Sequence, residues 1–298
     1  MGAFFAPRDW GRLLTAMVTP FGPDGRIDLV EAKRIAGYLV DVQKNDGLVV
    51  SGTTGESPTT ADDEKIQLLE AVLEAVGDRA AVIAGCGTND TAHSIHLTKL
   101  CDAIGAHGIM LVNPYYNRPS QAGLEAHFSA IARETDLPVM LYNIQPRSAV
   151  NLETETLMRL AEIPNIVAVK EASGNLGQIS DVCRLAPSGF RVYSGDDALT
   201  LPILSLGGHG LVSVAAHCVG SQLKEMIERF PGDPAGASAI HHRLTPFIKA
   251  VFSAPSPSPI KAALASAGFA CESVRMPMIP LTAEQKMAVL NALQTTRD

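Results

Sequence analysis

Eight short apolar runs recur along the first 220 residues, each closed by glycine or polar residues and each followed by a helical pattern. They are Leu13–Val18, Gly47–Ser51, Ala80–Ala84, Gly108–Val112, Pro138–Leu141, Asn165–Val169, Phe190–Tyr193 and Gly210–Val214. Their spacing is roughly 20–35 residues, the length of one strand plus one crossover helix. The intervening segments carry helical signals. Asp28 is an N-cap with Glu31 completing a capping box, and Ala32, Ile35, Ala36 and Leu39 form one face of a helix ending near Val42. A second helix is expected from Ala61 to about Val76, with Ile66, Leu69, Val72 and Leu73 as its apolar stripe. Eight such units match an α/β fold of the (β/α)8 TIM-barrel type. A doubly wound open sheet is the alternative, weakened because no GxGxxG follows the first strand.

After Val219 the strand signals stop. Residues 221–298 show only helical periodicity, interrupted by proline at 231–234, 255–259 and 277–280. The expected organisation is therefore a barrel over 1–220 that carries the active site. A small C-terminal α-helical domain of about three helices follows over 221–298 and assists assembly. The His241–His242 pair within it has no metal partner at a sensible spacing and reads as a solvated helix face.

A net charge of −7 argues against nucleic acid or an anionic membrane as partner. No apolar run is long enough to span a bilayer. The first nine residues lack a basic segment followed by an apolar stretch, so no signal peptide is expected. Five widely spaced cysteines (Cys86, Cys101, Cys183, Cys218, Cys271), with no CxxC, read as small hydrophobes in a reducing cytoplasm. No metal-ligand constellation is visible.

Lys170 closes the sixth run, Ile166-Val-Ala-Val169. It has two readings: a strand-end lysine that snorkels to water, or a buried amine whose pKa falls until it becomes a nucleophile. The second gains weight from what accompanies it. In a closed barrel the carboxyl ends of the strands converge, which gathers Thr53-Thr54, Asn89, Tyr115-Tyr116, Tyr142 with Arg147, Lys170 and Gly195-Asp196. Imine chemistry needs a neutral amine, an anchor for a keto acid's carboxylate and a proton carrier. A tyrosine hydroxyl can move protons, a Gly-Thr-Thr-Gly loop can present amides and hydroxyls to a carboxylate, and Arg147 can clamp a second one.

The segments Gly52-Thr-Thr-Gly-Glu-Ser57, Asn113-Pro-Tyr-Tyr-Asn-Arg-Pro-Ser120, Leu141-Tyr-Asn143, Val169-Lys-Glu-Ala-Ser173, Ser194-Gly-Asp-Asp-Ala198 and Gly207-Gly-His-Gly210 resemble the dihydrodipicolinate synthase / N-acetylneuraminate lyase family. Pro255-Ser-Pro-Ser-Pro-Ile-Lys261 and Arg275-Met-Pro-Met278 extend the match, in the same order, from about Leu13 to Leu293. The resemblance implies a lyase with no separate cofactor, in which pyruvate is held as an imine on Lys170. It favours the synthase branch, which condenses pyruvate with aspartate semialdehyde on the way to diaminopimelate and lysine. It assigns Thr53, Tyr142 and Tyr116 to a proton relay, with Tyr116 reaching into a neighbouring subunit. It gives Thr54 to the pyruvate carboxylate and Arg147 to the semialdehyde carboxylate. It also places Gly195 at the substrate and the Val212 carbonyl near the lysine, within a cytoplasmic homotetramer built as a dimer of dimers.

The alternatives are a sister aldolase or dehydratase acting on a 2-keto-3-deoxy sugar acid, and a silent barrel that only binds a keto acid. Two positions depart from the family pattern: Gln145 stands where proline is usual, and Ala149 where glycine follows the Arg-Ser pair. Alanine is awkward there if the backbone needs positive φ. At the places where lysine-inhibited members bind their inhibitor, this chain has Asp62, Lys65 and His93, with Tyr115 and Asn89 retained. The expectation is weak or absent feedback by lysine.

Overall fold

The strands pair in chain order, each parallel to the next, and the eighth closes on the first. A computed structural model describes residues 8–296. Residues 1–7, which carry most of the signal-peptide expectation, and 297–298 lie outside the described residues. The strands are β1 Leu13–Ala16, β2 Gly47–Val50, β3 Ala81–Gly85, β4 Gly108–Val112, β5 Val139–Asn143, β6 Ile166–Glu171, β7 Arg191–Ser194 and β8 Gly210–Ser213. The helices between them are α1 Leu29–Asp41, α2 Asp62–Val76, α3 Thr91–Ile104, α4 Gln121–Ala132, a single turn α5 Gln145–Ser148, α6 Thr154–Ala161, α7 Leu176–Leu185 and α8 Thr200–Ser205. Beyond β8 follow α9 Ala216–Arg229, α10 Pro234–Ala250, α11 Ser258–Ala265 and α12 Ala283–Gln294. This is the expected TIM barrel with C-terminal helices.

Strand alternation divides the core in two. Inward residues (Leu14, Val49, Ile83, Met110, Met140, Tyr142, Ala168, Tyr193 and Val212 among them) fill the barrel's interior. Their strand neighbours, such as Leu13, Leu48, Leu141, Val169 and Leu211, pack outward under the helices. Each fully buried Leu, Ile, Val or Phe contributes roughly 1.5–3 kcal/mol through apolar area removed from water. The two-sided burial explains why the strands read as continuous apolar runs rather than alternating ones.

Some local expectations need correction. Asp28 does cap α1 by accepting from the Glu31 amide (2.9 Å). The Glu31 carboxylate does not return to Asp28; it accepts from the Ala270 amide (2.6 Å) and pairs with Arg34. The capping box is therefore half-formed, because a tertiary contact competes for its acid. In α2 the buried face runs through Lys65, Leu68, Leu69, Val72 and Val76, while Ile66 and Leu73 are half-buried at its edge. Lys65 takes a core position by donating its ammonium to the Thr60 carbonyl (2.9 Å). Cys86, Cys101 and Cys271 are buried, whereas Cys183 and Cys218 are only half-buried.

The eighth barrel helix, α9, runs through the expected boundary at residue 220, one residue past a non-helical kink at Val219 (φ −129°, ψ 27°). The prolines mark the breaks that follow: Pro234 starts α10 and Pro259 lies in the first turn of α11. In the histidine pair, His242 is exposed, but His241 is half-buried and its Nδ1 has no hydrogen-bond partner. No helix among the described residues is long and apolar enough to cross a membrane.

Candidate active site

Period-two alternation on β6 puts Ala168 and Lys170 inside the barrel and Val169 and Glu171 outside it. Lys170 therefore does not snorkel. It is 5% exposed, and its Nζ lies 4.1 Å from the centre of the Tyr142 ring, its register partner on β5. Burial lowers its pKa to about 7; the buried Asp197 carboxylate opposes the shift and Arg147 adds to it. Near neutral pH a large share of the amine is thus uncharged and nucleophilic. Tyr142, also buried, has its phenol pushed well above the usual range by desolvation, against a lowering pull from Arg147. It stays protonated and can donate.

One neighbour lies against the lysine stem. A Cβ on Gly195 would lie 2.9 Å from Lys170 Cγ and 3.0 Å from its Cε, so glycine is required there by the chain that lies across it. Val212 belongs to the same interior cluster as Tyr142 and Tyr193. Asp197 is fully buried; it accepts from the Ser213 hydroxyl and from the amides of Val214 (3.0 Å) and Ala215 (3.3 Å).

Tyr142 also lines a cavity of about 230 Å³, together with Gly52, Thr53, Tyr115, Arg147 and Ser148, among others. The loop after β2 is a tight turn. The Glu56 amide donates to the Thr53 carbonyl (3.1 Å), the Ser57 amide to Gly52 (3.3 Å), and the Thr19 hydroxyl to Gly55 (2.7 Å). Thr54 is buried within that turn, behind the lining. Close packing also sets the rim: a Cβ on Gly85 would sit 2.4 Å from the Ser51 carbonyl, and one on Gly87 2.4 Å from the Val112 amide.

The loop that carries Arg147 is fastened from behind. Asn143, outward on β5, accepts from Asn113 and from the Leu152 amide (2.9 Å each) and donates to Asn151 (3.0 Å) and to Glu171 (3.2 Å). Asn113 also donates to the Val150 carbonyl (3.0 Å). Within the loop Ala149 is left-handed at φ 58°, ψ 14°, and Arg147 and Gln145 are exposed.

Thr53, Tyr142 and Arg147 thus share one cavity wall, with Lys170 against Tyr142. Thr54, Gly195 and Val212 stand behind that surface. Tyr116 does not line the cavity of its own chain; it is 91% exposed at φ 72°, while Tyr115 takes the inner place. Sequence reasoning missed Asp197 as the buried carboxylate facing Lys170, and it missed the Asn113–Asn143–Glu171 support. Asn143 and Glu171, polar residues at outward strand positions where apolar ones belong, could have signalled that support; Asp197, in the turn after β7, carries no such signal. Among the described residues, no group of three or more His, Cys, Asp or Glu is placed to hold a metal ion.

Known proteins resemble this chain along almost its whole length. The model of the dihydrodipicolinate synthetase family matches residues 9–296. The 4-hydroxy-tetrahydrodipicolinate synthase of Moorella thermoacetica is 54% identical over 288 residues, covering 96% of this chain and 98% of that one. The crystal structure of a dihydrodipicolinate synthase from Bacillus anthracis superposes with a TM-score of 0.94 at 45% identity, covering 96% and 98%. The enzyme from Cyanidioschyzon merolae, solved with lysine bound, gives a TM-score of 0.95 at 44% identity, covering 97% and 98%. By the family match over residues 9–296 and by relatives about half identical over nearly their full length, the chain belongs to the dihydrodipicolinate synthetase family.

Proposed function

We propose that this chain is a lyase that condenses pyruvate with L-aspartate 4-semialdehyde to 4-hydroxy-tetrahydrodipicolinate, in lysine biosynthesis, through an imine on Lys170. The observation that carries the reading is the desolvated Lys170 amine packed against the Tyr142 ring, beside a cavity shared by Thr53 and Arg147. Relatives about half identical over nearly their full length carry the synthase name.

The neutral amine adds its lone pair to C2 of pyruvate. The carbinolamine oxygen takes a proton and leaves as water, giving a protonated imine. That imine draws electrons from C3, which loses a proton to become an enamine. The enamine C3 bonds to the aldehyde carbon, whose oxygen takes up a proton. The semialdehyde's own amine then displaces Lys170 from C2, closing the ring and freeing the enzyme. Tyr142 and Thr53 carry the protons, with Tyr116 of a neighbouring copy as the third member. Thr54 and the amides of its turn hold the pyruvate carboxylate, with Gly195 and Val212 shaping the site around the amine. Arg147 at the rim holds the semialdehyde carboxylate. Tyr116, exposed on its own chain, suits a homotetramer in which it is lent across a dimer interface. In this reading the barrel holds the chemistry and the helices after it form a supporting domain.

The test is a coupled assay with both substrates, run beside borohydride trapping with pyruvate. Turnover of the semialdehyde and a covalent pyruvate adduct are expected. Turnover of sugar-derived keto acids instead would move the chain to the sister aldolases, and no adduct would make it a silent barrel. Arg147→Ala raises the KM for the semialdehyde and leaves pyruvate trapping intact.

A further inference from the structure

Lys261 and Glu56 form an ion pair at 2.5 Å with side chains 0% and 3% exposed, the most deeply buried ion pair among those found between described residues. Glu56 belongs to the turn that contains Thr53 and Thr54, whereas Lys261 lies on α11, 205 positions later. Every group of the pair has a partner. The Lys261 ammonium also donates to the Ser273 carbonyl (2.6 Å) and sits 4.5 Å from the Phe21 ring centre. The second Glu56 oxygen accepts from the Arg275 amide (2.9 Å). Arg275 in turn bridges to Glu64, to the Thr59 carbonyl (2.7 Å) and to Gly25. All of this anchors a residue under constraint, for Glu56 is left-handed at φ 57°, and its amide closes the turn by donating to Thr53 (3.1 Å).

A buried ion pair is poor evidence of stabilisation, because desolvating two charges offsets their attraction. What such a pair supplies is direction: a carboxylate with two fixed donors can be seated in only one way. Left-handed strain at a non-glycine residue persists only when its surroundings over-determine it.

We propose that Glu56, seated by Lys261 and the Arg275 amide, is a positioning residue that sets the Thr53–Thr54 turn for the pyruvate carboxylate, so that the C-terminal helices tune pyruvate binding. The inference rests on the proposed function and gives that turn a determinant outside the barrel. Neither residue touches the cavity, so they act only through the turn.

The test compares wild type with Glu56→Gln and with Glu56→Gln/Lys261→Met, reading KM for each substrate, kcat and thermal unfolding. Glu56→Gln is isosteric and leaves Lys261 its Ser273 and Phe21 contacts. The double variant removes the orphaned ammonium and keeps the apolar stem. Thermal unfolding sets the assay temperature below the midpoint of each, and where the single variant unfolds first the double variant carries the test. The expected result is a pyruvate KM raised about tenfold, the scale of a small misplacement of a binding group, with kcat lowered alongside it because Thr53 of the same turn carries protons, and the semialdehyde KM within about threefold. A folded variant with an unchanged pyruvate KM, or with only its unfolding temperature lowered, overturns the proposal. A wild type that forms no pyruvate adduct overturns the function itself, which separates the two failures.

Discussion

Lys170 and Tyr142 are register partners on adjacent strands, and the amine of the first lies 4.1 Å from the ring centre of the second. The aromatic wall keeps water from the amine, and burial brings its pKa to about 7 from the ordinary 10.5. Because the lowered pKa belongs to a cation, the reactive neutral form gains as pH rises. The initial rate of borohydride trapping with pyruvate therefore climbs through about pH 7 and levels above it. A rise confined to the range of an ordinary lysine would refute the buried-nucleophile reading. Lys170→Arg, charged at every usable pH, forms no adduct and loses turnover by at least ~10³-fold.

Tyr142→Phe isolates the phenol from the wall. The ring stays, so the amine keeps its desolvated seat and its shifted titration. The proton donor is lost, and kcat falls by roughly 10²–10⁴-fold, the usual range for a positioned acid or base. The adduct still accumulates over long incubation, with the same pH dependence as wild type. Wild-type kcat in this variant would place the proton carrier elsewhere on the cavity wall.

The barrel was legible because two-sided burial writes each strand as a solid apolar run, and the glycine-rich ends recur in phase with those runs. Lys170, Tyr142, Thr53 and Arg147 could be named because they fall at strand ends, which a closed barrel must bring together. Ala149 was legible as strain, and its φ of 58° bears that out. What stayed hidden depended on distant partners. Nothing near Glu31 in sequence says that its acid turns to Ala270, and nothing near Glu56 says that Lys261 reaches it. Lys65 reads as a surface charge until the Thr60 carbonyl is seen beneath it. Asp197 looks like loop polarity, yet it is fully buried beneath three donors, where it opposes the fall in the Lys170 pKa.

Regulation by lysine is expected to be weak or absent. At the start of α2 the Asp62 carboxylate is engaged by His93 Nε2 (2.9 Å) and by Lys65 (3.4 Å). An incoming ammonium would meet a carboxylate already paired and a lysine of its own charge. Initial rates measured with increasing lysine should stay near the uninhibited value. Strong inhibition at sub-millimolar lysine would show that the ligand displaces His93 or binds elsewhere.

His217 ties the mouth of β1 to the end of β8, and it can do so only when neutral. Its Nε2 accepts from the Val18 amide (3.1 Å), while Nδ1 donates to the Val214 carbonyl (2.8 Å). The proton must therefore sit on Nδ1. Protonating Nε2 would set two donors against each other in a site that is fully buried. Desolvation accordingly lowers the pKa to about 4 from 6.5. Between those values the unfolded chain binds a proton that the folded chain refuses, so this contribution is complete above pH 6.5 and is lost as pH falls towards 4. The loss is on the order of 3 kcal/mol over that window. Urea unfolding from pH 7 to 4 should show a shallower decline for His217→Gln than for wild type, from a lower starting stability, since glutamine can accept from Val18 but does not titrate. Parallel declines in the two proteins would mean that the acid sensitivity comes from other groups.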